Sequence, residues 1–333
     1  MLRLILALTI TAAPLLAADP WLTYPGEGDG PGKGKSIVLV SGDEEYRSEE
    51  SLPQLARILS KRHGFTCTVL FAIDPKDGCV QPNIIDNIPG LEKLDTADLM
   101  IVFLRWRNLP EEQMKHFAKY VESGKPILGL RTSTHAFKPD QKGESAKYNS
   151  NGAKGYEGGF GKQVLGETWV NHHGQHGKEG TRGVIAPGQE KHAILRGLTP
   201  GDIFGTTDVY TVKLNADCTP LVLGEVTETL KSDSPAAVGK KNNPMMPVAW
   251  TKAYNTASGK PAKVFTTTMG ASQDLEFAGT RRMIVNAAYW CVGLEGEITD
   301  KLNVDIVGEY KPTAFRFKKN AEWKPGNTPE QLK

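Results

Sequence analysis

Residues 36–59, SIVLVSGDEEYRSEESLPQLARIL, decide the fold. Ser36 to Ser41 is an unbroken apolar run with no in-out alternation, the pattern of a strand buried on both faces, as in parallel sheets. A polar turn follows. Then Leu52, Leu55, Ala56 and Leu59 fall on one helical face, with Pro53 in the first turn and Gly64 as the stop. Working outward, the same alternation continues. A strand is expected at Thr66 to Ala72, a loop with Pro75, Pro82 and Pro89 comes next, and Leu99 to Leu104 is another buried strand. Met114, Phe117, Ala118 and Val121 give a second helix face between Pro110 and Gly124, and Pro126 to Leu130 is a fourth strand. Strands alternating with helices at this spacing predict an α/β domain, a doubly wound, mostly parallel sheet with helices on both faces. From Ser133 to Gly180 the periodicity is lost, and so long an irregular stretch inside a compact domain is expected to carry function. Strands resume at 183–186, 208–214, 220–226, 247–254 and 263–269. A last helix spans Thr280 to Val292, with Met283, Ile284, Ala287 and Cys291 inward.

Of 333 residues, 39% are apolar and 23% charged, which predicts an ordered globular protein and excludes a coiled coil or a disordered chain. The formal net charge of +2 supplies no long-range field for a polyanion, so nucleic acid is not an expected partner. Residues 1–18 have the layout of a secretory signal peptide, with Arg3 before an apolar run and small residues at Ala17 and Ala18. Pro14 interrupts a run already short of the ~20 apolar residues a membrane span needs, so a periplasmic or secreted protein is expected. Residues 19–35 read as a Gly/Pro-rich linker or loosely docked arm, 36–295 as the folded domain, and 296–333 as a C-terminal extension. Cys67 and Cys79 lie close enough in sequence for a short disulfide loop, whereas Cys291 reads as a buried thiol.

In open parallel sheets ligands bind beyond the carboxyl ends of the strands. The first strand is followed there by Asp43, Glu44, Glu45, Tyr46 and Arg47, the third by Arg105, Trp106 and Arg107, and the fourth by Arg131, Thr132, Ser133, Thr134 and His135. In this topology these groups are expected to converge, and carboxylates, guanidiniums, an imidazole and an indole suit a polyhydroxylated ligand. The competing reading is a structural ion-pair network at the sheet edge. GLRTSTH has the placement of a nucleophile elbow with Arg131 at its apex, where a guanidinium can hold an oxygen or an anion but cannot attack. Ser133 with His135 makes a poor hydrolase pair, because residues two apart need not face each other and no orienting carboxylate is indicated. NHHGQHG (171–177) holds His172, His173 and His176, three of seven histidines, which invites a divalent metal such as zinc. At most two of them are expected to share an ion, with His135 or a carboxylate such as Glu157 completing the shell; hydrogen-bonding histidines are the alternative. Gln273, with Ser272 and Asp274, either lines the crevice or caps the next helix.

GDEEYRSEESLPQLARIL (42–59), GLRTSTHAF (129–137), the HHG loop (172–174), PVAWTKAY (247–254), KVFTTTMGASQD (263–274) and RRMIVNAAYWCVGLE (281–295) together resemble the trehalose-utilisation (ThuA-like) family over about residues 34–295. The resemblance implies a flavodoxin-like sheet of the class I glutamine-amidotransferase-like superfamily and an association with sugars. An amidotransferase carries Cys at the elbow and His-x-Glu after a late strand; the corresponding positions here are Arg131 and Ala271 to Gln273, which excludes glutamine hydrolysis through a thioester. The expectation is therefore an exported enzyme of carbohydrate catabolism acting on a small-molecule glycoside or oxidised (keto) sugar. In it Glu44 or His135 transfers protons, Arg131 holds an oxygen and Trp106 stacks on the ring. A non-catalytic sugar-binding protein is the alternative.

Overall fold

The computed structural model describes residues 19–323 and 326–333; the expected signal peptide lies outside them. Among the described residues ten strands form one sheet: β1 (Trp21–Tyr24), β2 (Ser36–Gly42), β3 (Thr66–Leu70), β4 (Leu99–Leu104), β5 (Ile127–Leu130), β6 (Thr181–Ile185), β7 (Phe204–Gly205), β8 (Cys218–Val226), β9 (Met246–Asn255) and β10 (Pro261–Thr267). The order is β1-β3-β2-β4-β5-β10-β9-β8-β6-β7. The centre, β3-β2-β4-β5-β10, is parallel, and antiparallel strands extend it on both sides. This is the doubly wound α/β arrangement that the alternating pattern predicts, with the flavodoxin-like sheet that the resemblance implies. No described helix is long and apolar enough to cross a membrane.

Side-chain alternation explains why β4 reads as a solid apolar run. Leu99, Ile101 and Phe103 enter one core with Leu52, Leu55 and Leu59 of α1 (Ser48–His63) and with Met283 and Ile284 of α3 (Ala278–Cys291). Met100, Val102 and Leu104 enter the other core with Met114, Phe117 and Val121 of α2 (Glu111–Glu122). Each such side chain contributes about 1.5–3 kcal/mol when buried, so neither face tolerates a polar residue. The register places Gly42 beside Leu104 and Leu130 beside Thr267, so the turns after β2, β4, β5 and β10 leave the same edge.

The stretch read as a linker or loosely docked arm is tied down. Trp21–Tyr24 pairs antiparallel with β3, and Leu22 and Tyr24 are buried. Gly26 permits the crossing behind it, since a Cβ there would sit 2.1 Å from the Gly64 carbonyl oxygen. The expected strand at 208–214 is reduced to a two-residue ladder in which Tyr210 pairs with His172. Cys67 is a free, fully buried thiol, so the short disulfide loop is not formed; Cys291 is buried, as expected.

The C-terminal extension returns across the carboxyl edge of the sheet. The Thr313 backbone N–H and hydroxyl donate to Glu50 (2.7 and 2.6 Å), and the Arg316 N–H to the Glu45 carbonyl (2.9 Å). Arg47 and Asn83 donate to the carbonyls of Arg316 and Lys318 (2.9 Å each). Beneath this strap Glu49 is buried with its Oε1 3.5 Å from Arg47 Nη1, and burial, outweighing that cation, pushes its carboxyl up to about 7. A carboxyl whose folded pKa lies above its unfolded one stabilises below the unfolded pKa, and that contribution is lost as pH rises through the folded one. Glu49→Gln is therefore expected to remove a loss of stability between about pH 4.5 and 7, leaving the variant more stable than wild type at pH 8 in urea unfolding. Parallel pH profiles for the two proteins would contradict the assignment.

Candidate active site

Three turns at this edge are each built around a non-glycine residue with positive φ: Arg47 (63°), Trp106 (49°) and Arg131 (41°). Such conformations cost about 1–3 kcal/mol each and persist only where neighbours over-determine them. The neighbours here are polar cross-braces. Asp43 Oδ1 accepts the backbone N–H groups of Glu45 (2.7 Å) and Tyr46, while Oδ2 accepts the Thr132 hydroxyl (2.5 Å), joining the turns after β2 and β5. Glu44 binds Arg105 through one oxygen and Arg107 Nη2 (2.6 Å) through the other, joining the turns after β2 and β4. The Ser133 hydroxyl donates to the Val102 carbonyl (2.8 Å) and accepts the Leu104 N–H (3.2 Å), which joins β4 to the turn after β5.

Arg131 is fully buried. Its Nη1 donates to the carbonyls of Asp208 (2.8 Å) and Thr268 (2.7 Å), and its Nη2 to Asp208 Oδ1 (2.9 Å) and the Tyr46 hydroxyl (3.1 Å). The guanidinium lies 4.5 Å from the Tyr46 ring centre and 4.0 Å from that of Tyr210, a cation held between two aromatic faces. Asp208 Oδ2 accepts the His172 Nδ1–H at 2.7 Å, and His176 places Nδ1 3.3 Å from Asp208 Oδ1 and Nε2 3.3 Å from Glu45 Oε1. Burial raises the Asp208 pKa, yet hydrogen bonds from His172 and His176 and the charge of Arg131 outweigh it and hold the carboxyl well below its usual range. Hydrogen bonds to Asp208 and Glu45 push His176 up to about 9. His135 moves the other way: burial, reinforced by the charges of Arg105 and Arg131, keeps its imidazole neutral.

Above this floor lies a cavity of about 200 Å³. Trp106, Trp169, Tyr210 and Phe317 supply its aromatic surface, and Glu45, Arg105, His135, His172 and His176 its polar groups. The His135 ring lies 4.9 Å from Trp106 and 5.3 Å from Trp169. A larger groove of about 480 Å³ surrounds Trp290 at the opposite edge. Its lysines are already paired, Lys252 with Asp217 and Lys263 with Glu295.

Of the residues expected to form the crevice, Glu45, Tyr46, Arg105, Trp106, His135, His172 and His176 meet at the cavity. Others are corrected. Arg131 does not hold a substrate oxygen, because both its Nη groups are committed to protein acceptors below the cavity floor. Glu44 is not placed to transfer protons, since both its oxygens are engaged by arginines; its neighbour Glu45 faces the cavity instead. Asp43 and Ser133 brace the turns, Arg107 is buried on the carbonyls of Pro82 and Ile84, and Arg47 anchors the C-terminal strap. His173 turns away, donating Nε2–H to the Lys241 carbonyl at 2.7 Å. Gln273 does not line the cavity, and Asp274 next to it caps its own turn by accepting the N–H groups of Gly270 and Ala271. His135 does not share a centre with the histidine loop. Among the described residues, the donor atoms that lie within 4.8 Å of one another belong to His172, His176 and Asp208, while Glu157 is exposed. Asp208, Trp169, Tyr210 and Phe317 escaped the sequence reading.

The family described as "ThuA: Trehalose utilisation" matches residues 37–291, and the chain belongs to it. That membership places the protein in carbohydrate metabolism. A ThuA-like protein from Parabacteroides merdae ATCC 43184 is 14% identical, with a TM-score of 0.49, over 86% of this chain and 99% of its own. A second, from Bacteroides uniformis ATCC 8492, is 15% identical, with a TM-score of 0.43, over 84% and 98%. No curated protein matches the chain.

Arg131→Ala would leave the Asp208 carboxylate buried beside the two histidines without its cation, a change expected to cost about 3–5 kcal/mol in urea unfolding. Arg131→Lys should recover little, because an ammonium cannot reproduce the two-pronged geometry. A loss below about 1 kcal/mol for Arg131→Ala would show that the pair does not organise the site.

Proposed function

We propose, taking family membership as the premise, that the protein is an exported enzyme of carbohydrate catabolism that acts on one sugar unit, as a glycoside or an oxidised (keto) sugar. Export is inferred from the leader-like residues 1–18. The observation that carries the catalytic reading is His135: a neutral imidazole beside two indoles, at the wall of a cavity that also presents Glu45 and Arg105. A sugar has apolar C–H faces and a rim of hydroxyls. Trp106 and Trp169 offer the flat surface those faces stack on, and Glu45, Arg105 and His172 offer donors and acceptors to the rim. At about 200 Å³ the cavity is smaller than the ~300–1,000 Å³ typical of drug-sized sites, which favours one ring over an oligosaccharide.

The burial and cations that keep His135 neutral also make it a weak base, so it accepts a proton from a hydroxyl, or from a carbon next to a ketone, as negative charge develops beside Arg105, and returns it readily. Glu45 lines the same cavity, held by Arg105 Nε at 3.2 Å and His176, and binds or orients a substrate hydroxyl. No thiol stands at the elbow, so the chemistry proceeds by proton transfer without a thioester.

Purified protein is to be incubated with a panel of glucosides and 3-keto-glucosides, with and without added divalent metal. Turnover of at least one is expected. His135→Gln should lower kcat by about 10²–10⁴ with Kd nearly unchanged. Trp106→Ala should weaken binding up to about tenfold. Tight binding of an unaltered sugar would replace the enzyme reading with a sugar-binding protein; neither binding nor turnover would remove the sugar from the proposal.

A further inference from the structure

We infer that His172, His176 and Asp208 form a binding site for a first-row divalent metal ion whose open coordination positions face the cavity; this rests on the proposal that the cavity is the working site. The donor atoms of the three side chains all lie within 4.8 Å of one another. His176 Nδ1 and Asp208 Oδ1 are 3.3 Å apart, within the roughly 3–3.5 Å between ligands bound 2.0–2.2 Å from one tetrahedral ion, and the 2.7 Å hydrogen bond from His172 Nδ1 to Asp208 Oδ2 is the contact an ion would replace by displacing its proton. Two imidazoles and one carboxylate leave positions for water or substrate, the composition of a catalytic rather than a closed structural site.

The sequence is arranged to deliver these donors. His172 is fixed by its ladder with Tyr210, and the next turn is held by the N–H groups of His173 and Gly174, both donating to the Val209 carbonyl (2.8 and 2.9 Å). That turn brings the His172 and His176 rings to 4.7 Å while sending His173 away. The two histidine side chains keep 34% and 37% exposure, so an ion can enter, whereas Asp208 is fully buried below them. Arg131 supplies the supporting shell: its bond to Asp208 Oδ1 fixes the carboxylate, as outer partners do for metal ligands. Imidazole donors favour zinc, iron, nickel or copper over calcium and magnesium, and the carboxylate also suits manganese. An ion here would polarise a carbonyl or hydroxyl oxygen of a sugar lying against Trp106 and Trp169.

The test uses the full-length protein, stripped with EDTA and titrated with Zn²⁺ and separately with Mn²⁺ by calorimetry, with bound metal measured by plasma mass spectrometry. One equivalent per chain is expected. His172→Ala and His176→Ala, both at half-exposed positions, should each weaken binding at least about tenfold, while the metal-free forms, though less stable for the lost hydrogen bond to Asp208, still unfold cooperatively in urea. Co²⁺ loading gives a second readout, with visible ligand-field bands that disappear in either variant. Binding no greater than that of the double histidine variant would overturn the inference, as would single variants that bind like wild type. The two readings separate cleanly: turnover of a keto-glucoside in excess EDTA removes the metal and keeps the enzyme, whereas one bound equivalent with no sugar turnover does the reverse.

Discussion

The site depends on one buried ion pair. Removing a guanidinium and a carboxylate from water costs several kcal/mol per ion, and only dense hydrogen bonding offsets it. Arg131 and Asp208 meet that condition: both Nη groups of the arginine have protein acceptors, and the carboxylate gathers two histidines as well. The partners are 77 residues apart in sequence. The pair therefore fastens the segment at Asp208 to the end of β5, and through that carboxylate holds His172 and His176 of the long irregular stretch over the sheet edge. The left-handed backbone at Arg131 is the local strain that this long-range pair sustains.

The other two strained turns belong to the same construction. Asp43, Glu44 and Ser133 lock the turns after β2, β4 and β5 to one another, so the cavity walls are cross-braced by the protein's own side chains. The C-terminal strap closes the remaining side. Phe315 stacks on Tyr46 at 5.2 Å and packs against His176 at 5.0 Å, and Phe317 lies over Arg105 at 4.9 Å, at the cavity mouth. The structural ion-pair network and the polar cavity, posed as competing readings of the same residues, are both present, the first as the frame of the second.

The fold was legible because doubly buried strands leave an unmistakable apolar run and α1 has a clear inner face. Leu99–Leu104 coincides with the strand observed, and the last helix differs only at its ends. The site was legible as a set of turns but not as a set of side chains. In a turn, successive residues point in unrelated directions, so Glu44 and Glu45 could not be told apart without the backbone angles, and Arg131 could not be seen to point downward. Asp208 was hidden because TTDVYTV reads as an ordinary strand; only Tyr210 and Thr211 pair, which leaves Asp208 free to turn toward Arg131. Trp169 and Phe317 come from segments with no period, and nothing local announces a contact so distant in sequence. The arm at 19–35 misled for a related reason: its glycines permit close packing against α1 and do not signal slackness.

A crystal structure of the protein soaked with a 3-keto-glucoside addresses the central claim most directly. The arrangement predicts one sugar ring against Trp106 and Trp169, within hydrogen-bond reach of Glu45 and His135, above an intact Arg131–Asp208 pair. A ring bound instead in the groove beside Trp290, or Arg131 swung into the cavity to meet the ligand, would contradict it.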